Sequence, residues 1–116
     1  MKHIATLTLL CLGACSKPEP GYSVLRFTAI PDTNSSELEA KFKPVAAYLS
    51  KELGVKVEYI PTADYSASVE MFKNGDVHFA WFGGLSGAQA RAAIEGSQAI
   101  AQGVEDPNFK SYFVAH

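Results

Sequence analysis

The hydrophobic residues of this chain change their spacing several times along the sequence. Residues 24–30 (VLRFTAI) and 55–60 (VKVEYI) alternate between apolar and polar side chains, as strands with one buried face do. Between them, residues 35–53 carry apolar side chains at every third or fourth position, which predicts an amphipathic helix that ends at Gly54. Strands that alternate with helices of this length predict an α/β fold, with a mainly parallel sheet flanked by helices.

The alternation continues beyond residue 60. A second helix is expected to begin at Thr62, Ala63 or Asp64 and to end near Asn74. A third strand is predicted over 77–82, and a third helix from Leu85 or Ser86 to Glu95. Two further short strands are expected over 98–102 and 112–115.

Single residues add detail to this prediction. Ser35 or Ser36 is expected to cap the first helix, and Pro44 to kink or divide it. Trp81 is expected in the core, because an indole ring carries a large apolar area. His78 lies inside the third strand, where a packed or hydrogen-bonded histidine is expected rather than a ligand.

The N-terminus has the features of a secretory signal. The apolar run over 4–12 is too short to span a bilayer, which takes about 20 residues, and the sequence LGAC ending at Cys15 resembles a bacterial lipoprotein signal. We therefore expect a signal peptide over 1–14, a lipidated Cys15 that anchors the protein to the membrane, a flexible tether over 15–23 and one domain over 24–116. The location would be the periplasm or the outer face of the cytoplasmic membrane. The alternative is a buried N-terminal helix with a chance cysteine.

Composition excludes several classes of function. The sequence carries 10 Lys and Arg against 12 Asp and Glu, and its cations are scattered singly, so it lacks the basic patch of a nucleic-acid-binding protein. It also lacks a metal-ligand cluster, a G-x-S-x-G elbow and a Walker-type phosphate loop. Asp32 and Asp64 resemble an acid–base pair, but both precede predicted helices, where capping explains them. We expect no enzymatic activity, no cofactor and no metal.

The three strand-to-helix junctions, residues 32–36, 62–66 and 83–86, should meet at one edge of a parallel sheet. Each leads into a helix N-terminus, where free N–H groups and the helix dipole favour an anion. Hydroxyl groups are frequent there and Lys and Arg are absent: Thr33, Ser35, Ser36, Thr62, Tyr65, Ser66 and Ser86. This combination favours a small oxyanion held by neutral donors, although each hydroxyl taken alone is also explained as a helix cap.

Three segments carry a resemblance to a known family: IPDTNSSELEAKFKPVAAYLSKELG, TADYSASVEMFKNGDVHFAWFGGLSGAQA and AIAQGVEDPNFKSYFVAH. Together they resemble the first lobe of the phosphonate and phosphite class of ABC-transporter substrate-binding proteins, and FGGLSGAQAR is similar to members described as selenate-binding. The resemblance implies a type II periplasmic-binding-protein lobe that is incomplete without its second lobe. It also implies an extracytoplasmic monomer that captures phosphonate, phosphite, phosphate or a selenate-like ion and delivers it to an ABC permease.

The same resemblance indicates which residues contact the ligand. The tyrosine of the family's DY motif corresponds to Tyr65, and a second family tyrosine in AWYG corresponds to Phe82, which cannot donate a hydrogen bond. Two alternatives follow. Either the ligand differs and an apolar wall replaces one donor, or backbone N–H groups of Gly83 and Gly84 take over, since glycine lets the main chain approach a ligand closely. The predicted ligand-binding set is Tyr65, Thr33, Ser66, Phe82, Gly83 and Gly84.

Two other functions remain open at this stage: a sensory input domain for the same ligands, and an enzyme built on the same fold. The sequence stops on the strand-like residues 112–116, so we expect a truncated chain that binds its ligand weakly or not at all.

Overall fold

The computed structural model describes residues 21–110 together with 114 and 115. Strands and α-helices alternate along the chain: β1 (Val24–Ala29), α1 (Ser35–Leu53), β2 (Lys56–Tyr59), α2 (Tyr65–Lys73), β3 (Phe79–Trp81) and α3 (Gly84–Ala93), followed by a 3-10 turn at Asp106–Asn108. The strands form one parallel sheet in the order β2-β1-β3, so β1 pairs on both of its edges. Among the helices of the described residues, none is long and apolar enough to cross a membrane.

The strand order creates a topological switch point beside β1. The connection through α1 places β2 on one side of β1, and the connection through α2 returns past β1 to place β3 on its other side. Right-handed connections of this kind put α1 and α2 on opposite faces of the sheet. Small ligands of open α/β sheets are held beyond the carboxyl ends of the strands at such a point, which here lies between β1 and β3.

One face of the sheet packs against α1. Leu38, Phe42 and Ala46 of the helix are buried against Phe27 and Ala29 of β1. The Phe27 ring meets the Phe42 ring edge-on, with centroids 5.8 Å apart. This apolar contact between α1 and the central strand β1 forms the core on this face of the sheet.

The opposite face is closed by small polar side chains whose hydrogen bonds are satisfied. Thr28 and Ser68 are fully buried. The Thr28 hydroxyl donates to the Ile60 carbonyl at 2.7 Å, and the Ser68 hydroxyl donates to the Tyr65 carbonyl at 2.7 Å. These bonds fix the chain where it leaves β2 and where it enters α2, and so fix the position of Tyr65.

The structure corrects the predicted cap of α1 and one of the two outcomes expected at Pro44, division of the helix. The cap is Asn34, whose side chain accepts from the Glu37 N–H at 3.0 Å, whereas Ser35 is already the first helical residue. Pro44 does not divide the helix, which runs unbroken through it. Pro44 and Ala40 are both exposed, so water can serve the Ala40 carbonyl that the missing proline N–H leaves open.

Two further predictions near β3 and beyond it were also wrong. Trp81 is 49% exposed rather than in the core, because it lies at the end of β3, the outer strand among the described residues. Residues 98–102 do not form a strand. Extended backbone needs a pairing partner for its amide groups, and Ile100 in this segment is 84% exposed. Of the strand expected over 112–115, residues 112 and 113 lie outside the described part of the chain.

Candidate functional site

A shallow crevice of about 240 Å³ lies at the switch-point end of the sheet, between the first turns of α2 and α3. Side chains and backbone of both helices line it: Tyr65, Gly83, Gly84, Leu85, Ser86 and Gln89. The crevice therefore forms where two of the three strand-to-helix junctions expected to meet come together, while no residue of 32–36 lines it.

The first turn of α3 is capped differently from those of the other two helices. Asn34 and Asp64 cap α1 and α2 by accepting from N–H groups three residues on, at 3.0 and 2.7 Å. Gly83 has no side chain with which to do so. The N–H groups of Gly84, Leu85 and Ser86 consequently have no acceptor within the described residues.

The Ser86 side chain bonds the backbone of Gly83, at the start of the same turn. Its hydroxyl accepts from the Gly83 N–H at 3.1 Å and donates to the Gly83 carbonyl at 3.3 Å, and the residue is only 5% exposed. The Gly83 N–H, which the sequence assigned to the ligand, is therefore occupied by Ser86. The first-turn donors without an acceptor in the described chain therefore begin at Gly84, where an added Cβ would meet no atom within 4 Å.

Tyr65 forms the opposite side of the crevice. It is the first residue of α2 and is 49% exposed, and its hydroxyl has no hydrogen-bond partner in the described part of the chain. Its carbonyl accepts from the buried Ser68 hydroxyl, which holds the backbone beneath it. A phenol in this position can donate to an oxygen atom held at the start of α3.

The other predicted ligand residues lie outside the crevice lining. The Phe82 ring is partly buried and packs edge-on against the Phe72 ring at 5.7 Å, behind the crevice. The Thr33 hydroxyl donates to the Glu37 carboxylate, and this bond, with one from Asn34, holds the pKa of Glu37 below its ordinary value. Ser66 is exposed in the first turn of α2. The crevice lining thus contains Tyr65, Gly83 and Gly84 of the predicted set, but not Thr33, Ser66 or Phe82.

Sequence reasoning missed two residues of the lining, Leu85 and Gln89. Leu85 appeared only as a possible helix start and Gln89 not at all. Residues four apart share one face of a helix, so the spacing from Leu85 to Gln89 is the signal that would have found the glutamine.

None of the described residues that line the crevice carries a charged side chain. Of the two aspartates considered as an acid–base pair, Asp64 caps α2 as predicted, while Asn34 rather than Asp32 caps α1. Within the residues that the structure describes, no group of His, Cys, Asp and Glu is arranged to hold a metal ion. Neutral donors at a helix N-terminus are suited to a small anion.

A larger hollow of about 470 Å³ lies elsewhere, between α1 and the edge strand β2. The buried Tyr59 hydroxyl borders it and has no partner among the described residues. Burial, reinforced by the charges of Glu39 and Asp32, raises the pKa of Tyr59, so this hydroxyl stays neutral. The hollow borders the edge strand β2 and not the switch point between β1 and β3, so its size does not make it the better ligand site.

A family model described as ABC transporter, phosphonate, periplasmic substrate-binding protein matches residues 27–116. The chain belongs to this family. It is 46% identical over 93 residues to a probable ABC transporter phosphite binding protein, PhnD1, of Prochlorococcus marinus, covering 80% of this chain and 31% of the relative. It is 32% identical over 123 aligned residues to the phosphate-import protein PhnD of Mycolicibacterium smegmatis. That alignment covers 97% of this chain and 37% of the relative. The chain therefore spans about a third of the length of these relatives.

Two solved structures share the fold of this chain. PhnD1 of Prochlorococcus marinus in complex with methylphosphonate superposes with a TM-score of 0.71 at 45% identity, over 72% of this chain and 31% of that one. A binding protein component of an ABC phosphonate transporter from Pseudomonas aeruginosa superposes with a TM-score of 0.59 at 23% identity, over 60% of this chain and 23% of that one. This likeness supports the fold alone. The fold class and the family resemblance predicted from the sequence are confirmed.

Proposed function

We propose that this chain forms one wall of an oxyanion site in an extracytoplasmic binding protein that delivers phosphonate, phosphite or phosphate to an ABC permease. One observation carries the proposal: the uncapped N-terminus of α3 faces the Tyr65 side chain across a crevice without charged lining residues. The donors there are three first-turn N–H groups and a phenol, and the positive end of the helix dipole adds to their attraction for an anion.

The chemistry of these donors favours capture over catalysis. An anion held by backbone N–H groups and a phenol is bound without a strongly hydrated ammonium group having to lose its water. The described lining has no nucleophile activated by a neighbouring base, which covalent catalysis would need. The relatives' names support the ligand class, since they specify phosphite, phosphate import and a methylphosphonate complex.

The remaining parts of the protein follow the sequence analysis as proposals. Residues 1–14 would act as a lipoprotein signal, Cys15 as the lipidated residue and residues 15–23 as the tether to the domain over 24–116. The wall opposite Tyr65 and α3 would correspond to the part of the relatives that this chain does not span. One wall supplies only part of the contacts, so we expect a Kd in the millimolar range, about 4 kcal/mol of binding free energy.

The test compares Tyr65→Phe with Tyr48→Phe. Tyr48 is 63% exposed on α1 and does not line the crevice, so it is a matched control for loss of a phenolic hydroxyl. Tyr65→Phe should weaken methylphosphonate binding about tenfold, the value of one hydrogen bond to a charged group, as measured by NMR titration. Equal affinities for the two variants would refute the role of Tyr65.

A further inference from the structure

Phe82 connects the two helices that form the crevice. Its ring meets the ring of Phe72 on α2 edge-on, with centroids 5.7 Å apart and ring planes at 88°. Its Cβ lies beside α3, since a Cβ added at Gly87 would be 3.5 Å from it. The next residue along the chain, Gly83, is the N-cap of α3. One side chain therefore joins the start of α3 to α2.

The contact with Phe72 also fixes the direction of α2, and with it the position of Tyr65. α2 is one helix over Tyr65–Lys73 that packs against α3 and β3. The fully buried Ser68 bonds the Tyr65 carbonyl at 2.7 Å near the start of the helix. Phe72 lies one turn beyond Ser68 on the same side of α2. Two points on one face, Ser68 and Phe72, thus hold the helix that carries Tyr65.

An anion in the crevice has to meet donors from both helices. The N–H groups at the start of α3 lie on one side of it and Tyr65 on the other. An O–H···O hydrogen bond spans about 2.5–3.0 Å, so a change of about 1 Å in the separation of the two helix starts removes it. Phe82 controls this separation directly, because α3 begins only two residues after it.

We propose that Phe82 is a positioning residue of the anion site. Its contact with Phe72 keeps Tyr65 within hydrogen-bonding distance of an anion held at the start of α3, and Phe82 itself does not touch the anion. The inference rests on the proposed function. It also gives a role to the position at which the family resemblance predicts a ligand-binding tyrosine, since Phe82 is not among the residues that line the crevice.

The experiment removes the ring contact while leaving every donor of the crevice in place. Phe82→Leu is compared with Phe42→Leu, because Phe42 meets Phe27 in the same edge-on manner, at 5.8 Å, in the core beneath α1. NMR titration of the full chain with methylphosphonate, at a temperature at which both variants are folded, measures the Kd. Phe82→Leu should raise it about fivefold, most of the tenfold that the Tyr65 hydrogen bond contributes, and Phe42→Leu should leave it unchanged.

A double variant separates positioning from a general loss of stability. In Tyr65→Phe the hydroxyl that Phe82 is proposed to position is already absent, so adding Phe82→Leu should raise the Kd no further. An equal rise in the presence and absence of the Tyr65 hydroxyl would overturn the inference.

Phe82→Tyr tests the alternative that residue 82 faces the ligand, and it keeps the ring if Phe82→Leu fails to fold. It should bind methylphosphonate no more tightly than the wild type. Phe109→Tyr is the control, because Phe109 is 81% exposed and lies outside the crevice. Tighter binding by Phe82→Tyr alone, or an unchanged Kd in Phe82→Leu, would overturn this inference and leave the proposed function intact. Failure of the wild type to bind methylphosphonate would overturn both.

Discussion

The hydroxyl of Ser86 ties Gly83 to the first turn of α3, and its removal is a direct test of how the crevice is held. Ser86→Ala deletes the bond from the Gly83 N–H at 3.1 Å and the bond to the Gly83 carbonyl at 3.3 Å. The carbonyl keeps its bond from the Gly87 N–H at 2.8 Å, so the N–H is the group that loses its partner.

The expected loss of stability follows from these contacts. An unpartnered buried donor costs about 1–3 kcal/mol, and the lower end applies because Gly83 is only half-buried and water can reach it. The destabilisation should be about 1 kcal/mol, which lowers the melting temperature of a domain this size by about 4–8 °C.

Urea unfolding followed by circular dichroism measures this difference. Ser36→Ala is the control, because Ser36 is an exposed serine in the first turn of α1 and its substitution should change stability by less than about 0.5 kcal/mol. If Ser86→Ala proved as stable as the wild type, or if both variants shifted equally, Ser86 would not be what holds the α3 turn.

Two further predictions concern the sheet. Thr28→Val should cost about 1–3 kcal/mol in urea unfolding, because the buried Thr28 hydroxyl donates to the Ile60 carbonyl at 2.7 Å. Thr62→Val removes only a long 3.4 Å contact to Ala29, so an equal loss there would contradict the assignment. The hydrogen bond from Lys56 and the charges of Lys56 and Arg26 hold the pKa of Glu58 below its ordinary value. Glu58 therefore stabilises the fold above its unfolded-state pKa, and this contribution is lost as the pH falls through its lower folded-state value. Glu58→Gln should flatten the stability–pH curve over this acidic range. An unchanged slope would show that the Lys56–Glu58 pair contributes nothing to stability.

The α/β alternation and the strand-to-helix junctions were predictable from the sequence, because hydrophobic spacing reports directly on which face of an element is buried. The three strands and three helices lie where the spacing placed them, within one to three residues. The absence of a strand at 98–102 could not be predicted in this way. Its sequence favours extended backbone, but a strand exists only where another strand pairs with it, and that depends on the rest of the fold.

The site was predictable in part for the same reason. Parallel topology brings junctions to one edge, so the meeting of Tyr65 with Gly83 and Gly84 followed from the pattern. Two predicted donors were not available, and the pattern could not show this. The Thr33 hydroxyl bonds Glu37 and the Gly83 N–H bonds Ser86, because local hydrogen bonds compete with a ligand for the same polar groups. Gln89 enters the crevice only through the helical geometry of α3, once the start of that helix is known.

The most direct test of the whole account is amide mapping of methylphosphonate binding on the ¹⁵N-labelled chain. The uncapped start of α3 is proposed as the anion wall, so the amide signals of Gly84, Leu85 and Ser86 should shift in a saturable manner. The first-turn amide of Glu37, already bonded to Asn34, should remain unchanged. Saturable shifts at the start of α1 in place of α3, or no shift at α3 at millimolar ligand, would contradict the account.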